Sequence, residues 1–155
     1  MEKTLISGVK SSTDIARVSV IGVKNEPGIA YQLFDIIAKK GINIDLIVQS
    51  VGRENTKDIS FVLSQKLADA AVEAIKADFE PDYERIEIDN DVAKVSIVGA
   101  GMMSDIGTAA KMFGAIYDVG VNIETIFTSE IKITVLVKEK YAAKVVESIR
   151  EKLVD

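Results

Sequence analysis

The residues of this chain that could do chemistry are acids, amides and glycines, and they fall in two kinds of segment. One kind joins a strand to a helix: Lys24-Asn-Glu-Pro-Gly28, and later Gly101-Met-Met-Ser-Asp-Ile-Gly107. A helix start offers unpaired N–H groups and a partial positive charge, which suits a carboxylate or a phosphate. The same residues also make an ordinary helix start, with Ser104 or Asp105 as a side-chain cap. The other kind is Gly41-Ile-Asn-Ile-Asp45, echoed by Gly120-Val-Asn-Ile-Glu124. Alternation sends Ile42 and Ile44 to one face, and Asn43 and Asp45 to the other. An amide beside a carboxylate matches the ammonium end of a zwitterion, and a turn Asn followed by a solvated acid fits the same letters. Gln49, Ser50, Ser129 and Glu130 continue the polar rows. A free amino acid needs both an anion-holding and an ammonium-holding group, and this chain has both.

What is missing narrows the chemistry further. There is no histidine and no cysteine, so neither an imidazole base nor a thiolate nucleophile exists, and zinc lacks its usual ligands. Asp35, Asp45, Glu124 and Glu130 could act as acid–base pairs only at fixed separations that spacing does not supply. The segment from Gly22 to Gly28 is neither a dinucleotide fingerprint nor a P-loop, because no Gly-Lys-Ser/Thr follows. The reading is a chain with no catalytic residues, no cofactor and no metal. A net charge of −5, with basic residues scattered among acids, opposes a nucleic-acid partner. Charges interrupt every apolar run before the roughly 18 residues a membrane span needs, so no membrane partner is expected. The first residues lack the apolar stretch of a signal peptide, and a cysteine-free chain fits a reducing compartment. Cytoplasm is the expected location.

The elements that must hold these residues come in two copies. Arg17-Val-Ser-Val-Ile-Gly22 matches Lys94-Val-Ser-Ile-Val-Gly99 at a shift of 77. Gly28 falls on Gly107, Phe34 on Phe113, and Gly41-Ile-Asn-Ile44 on Gly120-Val-Asn-Ile123, at a shift of 79. Beyond a loop five residues longer in the first copy, Ile59 to Ile75 run against Ile133 to Ile149 at 74. A period this long exceeds the roughly 20–50 residues of solenoid repeats, so each copy is a small domain. Apolar periodicity predicts strand 16–23, helix 29–40, strands 42–51 and 58–64, helix 67–79 and strand 83–89. The second copy repeats this as strand 93–100, helix 107–119, strands 121–129 and 131–137, and helix 140–153.

Strand, helix, strand, strand, helix, strand is the split βαβ pattern. The expected fold is α+β: two ferredoxin-like βαββαβ units with antiparallel sheets and helices on one face. The second copy shows no fourth strand before Asp155, and Thr4-Leu-Ile-Ser-Gly-Val9 is the only unassigned strand-like segment. The domain reading is therefore residues 15–90 for the first unit and 91–155 for the second, completed by residues 1–14. A frayed N-terminus is the alternative. Edge strands and apolar helix faces in units this small call for a partner, and a homodimer is expected.

The two copies resemble ACT domains, and the pair resembles the regulatory region of aspartokinases. The resemblance rests on Val18-Ser-Val-Ile-Gly-Val23 with Pro27-Gly28, on Gly41-Ile-Asn-Ile-Asp-Leu-Ile-Val-Gln-Ser50, and on Asp58-Ile-Ser-Phe61. In the second copy it rests on Lys94 to Met102, Ala110-Lys-Met-Phe113, and the run from Val121 to Ile133. Leu5-Ile-Ser-Gly-Val9 is similar to the family's opening strand. The resemblance implies an allosteric module without catalysis, either a separate regulatory subunit or part of a longer kinase chain. It implies L-threonine, L-lysine or both as effector, for feedback control of aspartate-family amino-acid synthesis, and an aspartokinase catalytic region as partner. A free-standing ACT-domain sensor controlling another protein is the alternative.

In threonine-sensitive members the effector sits between ACT units, and matching positions carry the site over. The first copy then contributes Asn25, Glu26, Pro27, Gly28, Ile29 and Ala30, then Asn43, Ile44, Asp45 and Gln49. The second contributes Thr108, Ala109, Asn122, Ile123, Ser129 and Glu130. Asp45 is the expected counter-charge to the effector's ammonium group, the part its matching family position plays. Neutral Gln49 favours threonine over lysine at the first site, while Glu124 and Glu130 keep lysine open at the other. Many relatives have His-Pro where Asp105-Ile106 stand here, so the second loop departs from the family's pattern.

Overall fold

The structure is a computed structural model that describes residues 6–99 and 107–154. Its chain divides into two compact units, Asp14–Asn90 and Asp91–Asp155, the second joined by the N-terminal residues up to Thr13. The strands are β1 (Ile6–Ser12), β2 (Ile15–Lys24), β3 (Leu46–Val51), β4 (Thr56–Ser64), β5 (Arg85–Asp89), β6 (Ala93–Gly99), β7 (Thr125–Thr128) and β8 (Lys132–Val137). The helices are α1 (Ile29–Lys39), α2 (Ala68–Asp78), α3 (Thr108–Asp118) and α4 (Ala142–Leu153).

The first unit's sheet runs β3-β4-β2-β5, with every neighbouring pair antiparallel. Alternation decides which face is covered. Ala16, Val18 and Val20 of β2, with Ile59, Phe61 and Leu63 of β4, point to the helix side and are buried. Ile29, Leu33 and Ile37 step by four along α1 and close over them, with Phe34 edge-on to Phe61 at 5.8 Å between ring centroids. α1 stops in a Schellman-type end: the Gly41 N–H donates to the Ala38 carbonyl and the Ile42 N–H to the Ile37 carbonyl.

The second unit repeats this arrangement with the order β1-β6-β8-β7. β1 lies antiparallel to β6, Val9 opposite Ile97, and the buried Val9 side chain joins the core of Val95, Ile116, Val135, Val145 and Ile149. A strand from the N-terminus therefore occupies the place that β5 holds in the first unit. The correspondence reaches single hydroxyls: Ser19 and Ser60 share a 2.8 Å hydrogen bond across β2 and β4, and Ser96 and Thr134 share one across β6 and β8.

The fold class matches the sequence expectation, and the differences lie at element ends. The ladder of β3 starts at Leu46 and that of β7 at Thr125, four residues later than alternation alone predicts. Each is an edge strand with one neighbour, and the chain must first swing from helix end to sheet. The first sheet bonds come from Asp45, whose N–H donates to the Val62 carbonyl, and Glu124, whose N–H donates to the Leu136 carbonyl, both at 2.8 Å. β5 begins at Arg85 rather than at 83, and α2 and α4 are each preceded by a 3-10 turn, Gln65–Leu67 and Glu139–Tyr141. Thr4, Leu5 and the segment 100–106, with Ser104 and Asp105, lie outside the described residues. Among the described residues no helix is long and apolar enough to cross a membrane.

Candidate functional site

Both strand-to-helix segments end in a glycine that caps the helix without a side chain. Gly28 has φ 89° before α1 and Gly107 has φ 98° before α3, and no side chain caps either helix. A β-carbon on either glycine would meet nothing within 4 Å, so the left-handed backbone, not crowding, selects glycine. The N-cap of α3 is thus a glycine rather than the serine or aspartate that a side-chain cap would use. In α1 the Gly28 carbonyl accepts from the Gln32 N–H and the Glu26 carbonyl from the Ile29 N–H at 3.5 Å, which leaves the N–H groups of Ala30 and Tyr31 at the open end of the helix. Asn25, Glu26, Pro27 and Gly28 are all exposed, Ile29 is buried, and Ala30 is half-buried. The Asn25 N–H donates to the Asn55 carbonyl, which fixes the loop beside the β3–β4 hairpin. Lys24 pairs with Glu26 at 2.9 Å, and this hydrogen-bonded neighbour raises the lysine above its ordinary pKa.

The Asn-Ile-acid segments keep their alternation although they precede the ladder. Ile42 and Val121 are buried and Ile44 and Ile123 half-buried, whereas Asn43, Asp45, Asn122 and Glu124 are exposed. Gln49 is exposed on β3 opposite Ile59. Ser129 and Glu130 are exposed in the β7–β8 turn, where the Ser129 N–H donates to the Lys132 carbonyl. Thr108 is buried in the first turn of α3, and Ala109 is half-buried.

Register decides which of these residues can act together within a unit. Leu46 lies level with Val62 and Arg17, near the start of β2, whereas Lys24, which leads into the loop, lies level with Thr56. From Arg17 to Lys24 the strand advances about 23 Å at ~3.3 Å per residue. Asn43, Ile44 and Asp45 therefore sit at one end of the sheet, and residues 25–30 at the other. Gln49, level with Ile59 and Val20, sits about midway between them. In the second unit Asn122 and Ile123 lie at the far end from Thr108, Ala109, Ser129 and Glu130, because Thr125 is level with Leu136 and Thr128 with Ile133. No single unit can close both its helix start and its Asn-Ile-acid segment on one small ligand.

One polar residue escaped the sequence reading. Lys57 is only 8% exposed, and among the described residues no side chain hydrogen-bonds or ion-pairs with its ammonium group. That nitrogen still reaches solvent, since no buried side-chain nitrogen or oxygen lacks a partner among the described residues. Its stem is packed and its head is wet. The signal was parity: Lys57, Ile59, Phe61 and Leu63 alternate toward the helix-covered face. A hollow of about 800 Å³ elsewhere on this unit, between Gly52–Thr56 and Asp82–Arg85, contains none of the expected site residues. Asp35 is engaged by Lys39 at 2.9 Å, and no acid cluster among the described residues could hold a metal ion.

Duplicated ferredoxin-like units, each with a helix start that no side chain caps and a polar segment at the opposite end of its sheet, define a tandem βαββαβ-type protein. The family model described as ACT domain matches residues 18–79 and 95–153, and the chain belongs to that family. Within it, these residues match the regulatory part of aspartate kinases. An aspartokinase of Helicobacter pylori is 40% identical over 149 residues, covering 96% of this chain and 36% of that protein. The chain thus spans about a third of the length of the curated aspartokinases it matches. The regulatory subunit of aspartate kinase from Thermus thermophilus, in its ligand-free form, superposes with a TM-score of 0.88 at 35% identity, covering 95% of this chain and 97% of that one. The aspartate kinase of Synechocystis superposes with a TM-score of 0.89 at 34% identity, covering 97% of this chain and 28% of that one.

Proposed function

We propose that this chain is the allosteric regulatory part of a cytoplasmic aspartate kinase and binds L-threonine, L-lysine or both. The observation that carries the reading is the pairing, in both units, of an open glycine-capped helix start with an Asn-Ile-acid segment. Helix N–H groups suit the effector's carboxylate, and Asp45 suits its ammonium group. Because these groups stand at opposite ends of a unit, each end supplies half a site. A second copy of the chain completes it, presenting its complementary end. Ile47 on β3 is 52% exposed and Ile126, its counterpart on β7, is 45% exposed, which supports association through these edges. The effector then regulates the kinase by binding one arrangement of the regulatory units more tightly than another.

Calorimetry with threonine and with lysine tests this reading. Asp45→Ala is expected to weaken binding by about 1.5–3 kcal/mol, through loss of a charge-assisted hydrogen bond. Equal affinity in the variant would remove Asp45 from the site, and a wild-type chain that binds neither amino acid would end the effector assignment.

A further inference from the structure

We propose that Lys57 is a specificity-determining residue of the first unit, anchoring the ligand's carboxylate just beyond the N-terminus of α1. The proposal rests on the effector reading above and adds a residue, a charge and an asymmetry to it.

Three placements converge on this point. Parity turns Lys57 toward the helix-covered face, between Val23 on β2 and Val51 on β3. The Phe34–Phe61 contact seats α1 over β4. From that contact Lys57 lies about 13 Å up the strand, at ~3.3 Å per residue. Ile29, the first residue of α1, lies about 7.5 Å up the helix, at 1.5 Å per residue. Lys57 thus sits past the helix end, beneath the loop that the Asn25–Asn55 hydrogen bond pins alongside. There the first-turn N–H groups and the helix dipole favour an anion. Glu26, the nearest acid in the loop sequence, is already paired with Lys24.

A lysine with a buried stem and no counter-charge among the described residues is unusual, because ordering its side chain costs entropy that an ion pair would offset. A bound carboxylate supplies that charge. The second unit cannot do the same: at the shift of 74 its matching position is Ile131, which is 59% exposed. The two units are therefore unequal, and the anion-selective one is the first.

The test uses the whole chain with Lys57→Met, which keeps the apolar stem, and Lys57→Arg, which keeps the charge. Thermal melts establish that both fold. Sodium acetate, titrated into the wild type, is expected to shift the backbone amide resonances of Ala30 and Tyr31 and to leave those of Ala109 and Ala110 nearly still. Lys57→Met abolishes the shift and Lys57→Arg retains it. With threonine as ligand, Lys57→Met lowers affinity roughly tenfold to a hundredfold, and the wild type's preference for threonine over threoninamide disappears. Acetate shifts unaffected by Lys57→Met, or absent from Ala30 and Tyr31 in the wild type, overturn the proposal. Threonine binding that survives Lys57→Met unchanged overturns it too, while leaving the effector reading intact. Acetate shifts that depend on Lys57 in a chain that binds neither threonine nor lysine sustain the anion site and end the effector reading instead.

Discussion

Gly28→Ala isolates the backbone contribution of the loop that leads into α1, because the position has room for a β-carbon and only the dihedral angle objects. Beyond its own chain neighbours no atom lies within 4 Å of where that carbon would be, and φ is 89°. Holding an L-residue in left-handed conformation costs about 1–2 kcal/mol. Against this, alanine narrows the unfolded ensemble and returns about 0.4–1 kcal/mol. The net expectation is a loss of about 1 kcal/mol, or about 4–8 °C in the melting temperature of a unit this size. Gly28→Asn is the control, since asparagine visits left-handed conformations far more readily, and it is expected to recover most of the loss. Gly107→Ala, at φ 98°, should repeat the alanine result in the second unit. The assay is urea denaturation followed by far-ultraviolet circular dichroism, with thermal melts alongside. An alanine variant as stable as the wild type, or an asparagine variant no better than alanine, would refute the dihedral argument.

Two further outcomes are expected. Ser96→Ala leaves the hydroxyl of Thr134, a residue 2% exposed, without its 2.8 Å partner and is expected to cost about 1–3 kcal/mol, whereas Ser96→Ala with Thr134→Val removes both polar groups and should cost less than the single change. Denaturation of all four members of the cycle checks this, and a double variant weaker than the single would contradict it. In sedimentation equilibrium the chain is expected at about twice its 16.8 kDa monomer mass, and Ile47→Lys should shift it toward monomer by placing a charge on an edge strand. A wild type that sediments as monomer would dismiss the second copy as the source of the missing half-sites.

The sequence alone carried the repeat, the fold class, the identity of each helix and the alternation of the Asn-Ile-acid segments. It could do so because these are local properties. A strand alternates every two residues and a helix every three or four, so Val18, Val20, Leu33 and Ile37 announce their own buried faces. The vacancy beside β6 could likewise be counted from letters, while the register that sets Val9 against Ile97 belongs to the fold. What only the tertiary structure decided are the distances between segments. Asn43 and Asp45 are separated from Gly28 by little more than α1, yet that helix carries them to the other end of the sheet, so the two segments cannot meet within one unit. Lys57 falls between the expected strands 42–51 and 58–64, and only the pairing of β4 with β2 and β3 set it between Val23 and Val51 and buried its stem. Ladder starts at Leu46 and Thr125 were hidden for the same reason: a residue's side-chain alternation is written in its own sequence, but its hydrogen-bond partner is supplied by another strand.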